Sequence, residues 1–226
     1  MSGDASGSPT RPWGAHEQSG TAEYLHGLDL LAAPSRSWWR LTVTAPAVVL
    51  GSAQQSMSPV DGQTVEVTRR RSGGGAVYLS PDTSLWIDVV VPRDDPLWEE
   101  DVSRSALWLG AVWVEALGAC GVDGEVYRAS ADRDPLAKAA CFVGRAPGEV
   151  VVGGSKLVGI SQRRTRSGAR FQSVLYTAAP DAEAVATALG SHAPAGLLTA
   201  LASRVGVVPV SARSLVEAFR AAIVKA

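Results

Sequence analysis

Three consecutive glycines, Gly73-Gly74-Gly75, constrain the middle of this chain more than any other feature. Glycine reaches φ > 0 without steric cost and lets a ligand or another backbone come close. A glycine-rich turn is therefore required there, and strand-like residues stand on both sides of it. Residues 64–79 read "TVEVTRRRSGGGAVYL": strand, turn, strand. Residues 37–54, "SWWRLTVTAPAVVLGSAQ", hold β-branched and aromatic side chains around a turn at Ala45-Pro46, which predicts two more strands. Residues 84–91, "SLWIDVVV", form another, closed by Pro92.

Helical patterning flanks these strands. Residues 23–31 keep apolar side chains on one side, which predicts a short helix. Residues 101–119 make the clearest helix, entered at "PLWEEDVSRS" and left through Gly118 and Gly121. Short strands are expected over 125–127, 149–152, 156–162 and 171–177, with Gly153-Gly154 as a hairpin turn. Beyond Pro180 the pattern is helical and alanine-rich, interrupted by "GVVPVS". Strands in the middle and helices around them predict an α+β fold with a central mixed, mainly antiparallel sheet. Residues 1–20 are rich in Gly, Ser and Pro and read as a flexible tail; residues 21–226 read as a single domain.

Composition removes several function classes. Lys plus Arg number 21 against 22 Asp plus Glu, for a formal net charge of −1. That balance argues against a protein held on nucleic acid by counterion release, though a local basic stripe can still grip an acidic partner. Hydrophobic residues are 46 % of the chain, enough to exclude wholesale disorder. Residues 1–20 lack the apolar core of a secretory signal. Residues 106–122 are apolar but interrupted by Glu115 and short for a membrane span. The two cysteines, Cys120 and Cys141, cannot make a disulfide framework, and no Cys/His cluster suggests zinc. A cytoplasmic protein with free thiols is expected.

Two glycine-containing motifs carry chemistry. In Arg69-Arg70-Arg71-Ser72-Gly73-Gly74-Gly75-Ala76-Val77, consecutive N–H groups can cradle a carboxyl, phosphate or carbonyl oxygen, and the arginines can supply positive charge. It lacks the Gly-Lys-Ser/Thr ending of a P-loop and the spacing of a dinucleotide fingerprint. A plain hairpin turn with solvated arginines fits the same spacing. In "GGSKLVGISQRR", Lys156 follows a glycine turn, so its ammonium can stabilise an oxyanion or phosphate. Gly159 lets a ligand chain pass close to the strand. The bland alternative is a strand with a snorkelling lysine.

Cys141, in "KAACFVGRAPGE", stands near Lys138 and Arg145, and cationic neighbours favour the nucleophilic thiolate. Cys120, at the end of the apolar helix, reads as a core residue. His16 falls in the tail, His26 in a surface-like helix and His192 in a late turn, and none is assigned a role.

Together these elements resemble the lipoate branch of the biotin/lipoate protein ligase superfamily. "RRRSGGGAVYL" is similar to its "RR-x-[ST]-G-G-x-A-V" signature, "GGSKLVGISQRR" to "G-x-K-x-x-G-x-x-Q-R", and "LGSAQ" (residues 50–54) to "x-G-x-x-Q" after the early strands. The resemblance runs from about Glu23 to Thr177. It implies that an acyl chain lies between the glycine loop and the lysine strand. Arg70, Ser72, Gly73, Gly74, Gly75, Ala76, Val77 and Tyr78 would then line the carboxyl or adenylate end. Lys156 would contact the acyl carbonyl or phosphate, and Gly159 and Ser161 would form the opposite wall. The implied partners are lipoyl domains of 2-oxoacid dehydrogenases, the glycine-cleavage H protein or an acyl carrier protein.

The family divides by chemistry. The stretch containing Cys141, Glu149 and Lys156 resembles transferases that carry octanoyl or lipoyl as a cysteine thioester without a cofactor, and "GISQRR" resembles the amidotransferase subgroup. The glycine at Gly75 resembles ligases, which use ATP and Mg to form an acyl-adenylate. Where ligases and one transferase subgroup carry His-Asp after the loop, this chain has Leu79-Ser80, and "ARFQS" stands in place of a late His-Gly. The expected activity is acyl transfer through Cys141. ATP-dependent lipoate–protein ligation is one alternative, and a non-catalytic relative that binds an acyl group or lipoyl domain is another.

Overall fold

The run Ser84–Pro92 is apolar on both of its faces because both are covered. In the computed structural model, which describes residues 11–54 and 65–226, this strand (β6) lies inside a seven-stranded sheet. The order is β1 (Gly14–Gly20), β2 (Ser37–Val43), β6, β10 (Gly168–Tyr176), β9 (Ser155–Arg164), β8 (Val150–Val152), β7 (Glu125–Val126). β1 and β2 run parallel, and the other neighbours are antiparallel.

Alternation along the strands sorts the core into layers. Leu85, Ile87, Val89 and Val91 meet α2 (Leu107–Ala119) and α6 (Ala212–Ile223) through Leu109, Trp113, Leu215 and Phe219. The Trp113 and Phe219 rings lie 4.6 Å apart, and burying one such side chain contributes about 1.5–3 kcal/mol. The Ser211 hydroxyl caps α6 by accepting from the Ser214 N–H at 3.1 Å. Trp86, out of phase with its neighbours, points the other way with Val174 and Tyr176, toward α1 (Ala22–Gly27) and a second sheet.

That second sheet is three-stranded, in the order β4 (Glu66–Arg69), β3 (Ala47–Leu50), β5 (Val77–Leu79). Ala47, Val49 and Leu79 face the large sheet. Val48, Leu50 and Tyr78 face α4 (Ala182–Leu189) and α5 (Leu197–Arg204). The Asp88–Arg170 pair ties α1 to the large sheet from within. Arg170 Nε lies 2.6 Å from the Asp88 carboxylate, and its Nη1 and Nη2 donate to the carbonyls of Leu28 and Leu25. Among the described residues no helix is long and apolar enough to cross a membrane.

The α+β architecture and the mixed, mainly antiparallel sheet agree with expectation. Several local readings need correction. The segment around the glycine run is not a hairpin, because β4 and β5 do not pair with each other but flank β3, β4 parallel and β5 antiparallel. The tail expected over 1–20 does not extend to 20. Gly14–Gly20 pairs along its whole length with β2, with Trp13 stacked on Trp108 and His16 on Trp39. Its polar sequence carries no strand signal because backbone pairing at a sheet edge, not burial, holds it. The part of that tail over residues 1–10, and the start of the strand expected at 64, lie outside the described residues. α2 begins at Leu107, not at 101. The Asp101 carboxylate accepts from both the N–H and the hydroxyl of Ser103, a local turn that competes with helix.

Gly51 joins the two sides of the small sheet. A Cβ there would lie 1.8 Å from the Gly74 carbonyl oxygen. Gly51→Ala is expected to cost about 1–3 kcal/mol in chemical denaturation, because backbone must move. Gly118→Ala, on an open helix face with nothing within 4 Å, is expected to be neutral or to stabilise by up to about 1 kcal/mol.

Candidate active site

The loop from Arg70 to Ala76 is shaped by one buried guanidinium. Arg70 is 4 % exposed. It donates to the Val49 carbonyl at 3.1 Å and, through Nη2, to the carbonyls of Gly73 and Gly75 at 2.8 Å each. Arg69 and Arg71 stay exposed, so solvated arginines on a turn describe only the flanking pair. Gly74 has φ +99°, a conformation L side chains resist. A Cβ on Gly75 would come within 2.7 Å of the Ala140 nitrogen.

That close approach brings in Cys141. Ala76 donates to the Ala139 carbonyl at 2.8 Å, and the Cys141 N–H donates to the Ala76 carbonyl at 2.9 Å. The chain leaving α3 (Pro135–Ala139) is thus stitched onto the glycine loop. Gln54 reinforces the seam: its Oε1 accepts from the Gly51 N–H at 2.9 Å and its Nε2 donates to the Ala139 carbonyl at 3.0 Å. The Cys141 sulfur ends up 3.8 Å from where a Cβ on Gly74 would sit.

Lys156 approaches from β9. Gly153 and Gly154, at φ +53° and +88°, make the turn that launches the strand. The lysine does not snorkel: its side chain is 2 % exposed, and Nζ donates to the Glu149 carboxylate at 2.6 Å and to the Cys141 carbonyl at 2.5 Å. Glu149 also accepts from the N–H groups of Ala146 and Ile160. Burial raises the pKa of its carboxyl, and the Lys156 charge opposes that rise. Gly159 leaves room for Phe142, whose ring would lie 3.1 Å from a Cβ there.

Two cavities meet at the thiol. One is narrow and apolar, holds about 370 Å³ of atom-free space, and runs between the sheets. Val49, Val77, Leu79, Trp86, Phe142 and Val174 line it, with Gly159 and Ser161 on the β9 side. The other is an open cleft of about 1250 Å³, the solvent at its mouth included, with Gly73, Gly74 and Gly75 and the charged residues Lys138, Arg145, Glu149 and Lys156 on its border. Cys141 and Ser161 border both. Arg145 is held by Asp132 at 3.0 Å and lies over the Tyr127 ring. Among the described residues no group of three His, Cys, Asp or Glu side chains converges to hold a metal ion.

The expected residues converge with three exceptions. Tyr78 turns away from both cavities to pack beneath α4 and α5, because β5 alternates and Val77 and Leu79 take the inner face. Ala76 contributes its backbone. The Ser72 hydroxyl is engaged by Gln172 and Ser161 at 2.8 and 3.1 Å and braces the loop from behind. Conversely, His26, Trp86 and Gln172 line the apolar cavity without having been foreseen. His26 is buried, stacked on Trp86 at 4.4 Å. Desolvation, reinforced by the charges of Arg170 and Arg70, lowers its pKa to about 3. Its spacing with Ala22 and Leu25, the other buried residues of α1, is the helical i, i+3, i+4 pattern that could have revealed it.

The Lys156–Glu149 geometry alters what a lysine deletion does. Lys156→Ala strands a buried carboxylate and is expected to cost about 3–5 kcal/mol in chemical denaturation. Lys156→Met combined with Glu149→Gln removes both charges and is expected to recover most of that loss. Equal losses in the two would show that the pair is not what holds these strands.

Comparison with known structures places this arrangement. The structure of a lipoate-protein ligase A bound with ATP superposes with a TM-score of 0.69 at 16 % identity, covering 96 % of this chain and 85 % of that one. A Thermoplasma acidophilum protein with bound lipoic acid gives 0.69 at 17 %, covering 92 % and 82 %. The bipartite lipoate protein ligase from the same organism, described with its E2 lipoyl domain, gives 0.70 at 15 %, covering 94 % and 82 %. At such identities the likeness carries the fold. No curated protein matches the sequence. The model of the lipoyl protein ligase A/B catalytic domain matches residues 21–217. A glycine loop, a buried lysine and an apolar pocket thus meet in a chain that belongs to the lipoyl protein ligase A/B catalytic domain family, enzymes of the lipoate ligase or transferase kind.

Proposed function

We propose that this protein moves an octanoyl or lipoyl group from a carrier protein to a lysine of a lipoyl domain through a thioester on Cys141. The observation that carries the reading is the position of that thiol, at the border shared by the apolar pocket and the open cleft. An acyl chain seated between the sheets would present its carbonyl carbon at Cys141.

In the first half-reaction the Cys141 sulfur forms a bond to the acyl carbonyl carbon. The bond from that carbon to the carrier's thiol or amine breaks, and the departing group takes up the proton that the thiol loses. In the second, the acceptor lysine forms its N–C bond, the S–C bond breaks, and Cys141 regains a proton. Negative charge develops on the carbonyl oxygen in each half. Lys156 Nζ has one N–H beyond those directed at Glu149 and Cys141. With the N–H groups of the glycine loop, it supports that oxyanion.

ATP-dependent lipoate–protein ligation is the second reading, and Gly75 is the observation that favours it. The close approach at this position excludes a side chain, and glycine here resembles the ligase pattern. ATP and Mg would then enter as co-substrates of adenylate formation, and Cys141 would be a packing residue.

Partner docking follows from charge. Arg166 is exposed in the turn between β9 and β10, and Arg163 is partly exposed near the end of β9, whereas Arg164 is occupied over the Trp98 ring at 4.0 Å. Soluble lipoyl domains, acyl carrier protein and the H protein are the partners this reading proposes, with an acidic face on these arginines.

Intact-protein mass after incubation with octanoyl carrier protein or octanoylated H protein tests the chemistry. A hydroxylamine-sensitive acyl adduct, absent in Cys141→Ser, is expected. No adduct, together with acyl-adenylate made from octanoate and ATP in a parallel sample, would make the protein a ligase. Arg163→Glu with Arg166→Glu is expected to weaken lipoyl-domain binding several-fold at low salt and less at high salt. An unchanged affinity and salt slope would remove these arginines from the docking face.

A further inference from the structure

A lysine near a nucleophilic thiol can act in two ways: as an amine that takes the thiol's proton, or as an ammonium that holds the oxyanion. The carboxylate behind Lys156 decides between them. Pairing of β8 with β9 stops at Val150, opposite Val158. Beyond that point the Glu149 side chain takes the strand's place, and its Oε1 accepts from the Ile160 N–H at 3.2 Å. Its Oε2 accepts from the Ala146 N–H and from Lys156 Nζ, each at 2.6 Å. The Glu149 backbone is pinned as well, donating to the Ala146 carbonyl at 3.1 Å and accepting from the Tyr127 N–H at 2.8 Å. Three donors thus converge on one carboxylate, and each favours its ionised form against the cost of burial. Lys156 directs a second N–H at the Cys141 carbonyl, and the Phe142 ring, 5.6 Å from Nζ, adds a further attraction for a cation. The other charged or titratable groups around it are Asp132, held by Arg145 and within electrostatic reach of the lysine, Cys141 with Arg70 near it, exposed Lys138 on the cleft border, and Arg204 of α5, which donates to the Val143 carbonyl.

We propose that Glu149 is a positioning residue that keeps Lys156 an ammonium throughout the reaction, so that the lysine holds the oxyanion and never takes the Cys141 proton. This rests on the thioester reading made above. The Cys141 sulfur bonds to the acyl carbon, the carrier's C–S bond breaks, and the thiol proton passes to the carrier sulfur through solvent in the open cleft. A lysine acting as base would instead rest as a neutral amine. That would leave a buried carboxylate without its counter-charge between turnovers, a costly state.

The chain has three lysines, Lys138, Lys156 and Lys225, so NMR of full-length protein labelled at the lysine ε-carbon follows each one separately with pH. The wild-type Lys156 resonance is expected to hold its ammonium position at least to the pH at which that of exposed Lys138 moves. A Lys156 resonance that moves earlier, or that stands at the amine position near neutrality, overturns the proposal. Glu149→Gln keeps an oxygen for Nζ and removes the charge. Burial then favours the neutral amine, and the variant's Lys156 resonance is expected to move before that of Lys138.

Acylation of Cys141 by octanoyl carrier protein, followed by intact-protein mass at a series of pH values, is expected to show the matching loss. The ratio of wild-type to E149Q rates, in which the ionisation of the thiol cancels, widens as pH rises. It reaches about a hundredfold where the variant's lysine is neutral, the cost of one missing oxyanion donor. A ratio that stays constant with pH makes Glu149 a structural residue only and overturns the proposal. Wild-type protein that forms no Cys141 adduct removes the thioester reading and the proposal together, whereas a titrating Lys156 in wild-type protein that does form the adduct removes the proposal alone. The wild-type resonance needs no variant, so the test survives an E149Q that fails to fold.

Discussion

The hydrogen bonds of the Arg70 guanidinium are the interaction on which the rest of the site depends. A buried positive charge is costly unless partial negative charges surround it. Arg70 meets that condition by collecting the carbonyls of Val49, Gly73 and Gly75. The Gly73 and Gly75 carbonyls are thereby turned onto the guanidinium, while the three glycines border the open cleft. The same constraint explains the glycines: a loop wound about one guanidinium leaves no volume for side chains at Gly51 or Gly75, where a Cβ would meet backbone. Cys141 owes its place to that contact, since the segment carrying it is hydrogen-bonded to the loop at Ala76.

Around this seam the two sheets are joined by polar contacts of unlike kinds. Tyr176 donates to the Tyr78 carbonyl at 2.8 Å, and burial raises the pKa of its hydroxyl. Ser72 bridges to Ser161 and Gln172. Lys156 crosses from β9 to the backbone of Cys141 while neutralised by Glu149. The site is therefore rigid at its polar end, where backbone and buried charges meet. It is lined by apolar side chains at the other, an arrangement that fits the acyl site proposed above.

Much of this was legible before any coordinates. β6, β9 and β10 announced themselves through β-branched residues and turn punctuation, and the helical C-terminal region through alanine and leucine. The glycine loop, Lys156 and Cys141 were legible as motifs because each rests on backbone demands that few residue types meet. β1 was not, since Gly14–Gly20 is polar and becomes a strand only because β2 offers an open edge. Tyr78 adjoins the motif and is expected in the wall, but strand alternation turns it to the other face. The sequence places His26 on a surface-like helix, although its helical spacing with Ala22 and Leu25 points inward.

Sequence by itself determined the fold class, the family and the list of residues able to do chemistry, because periodicity, turn residues and motif order are local properties of the chain. Tertiary structure decided which of those residues share a cavity. Gly73–Gly75 lie in the loop between β4 and β5, Cys141 follows α3 and Lys156 opens β9. These are distant in the chain, and only the packing of one sheet on the other brings them together. It also decided the charge states at the site. Burial keeps the His26 ring neutral and makes Glu149 the partner that Lys156 requires, and burial is a property of the packed whole.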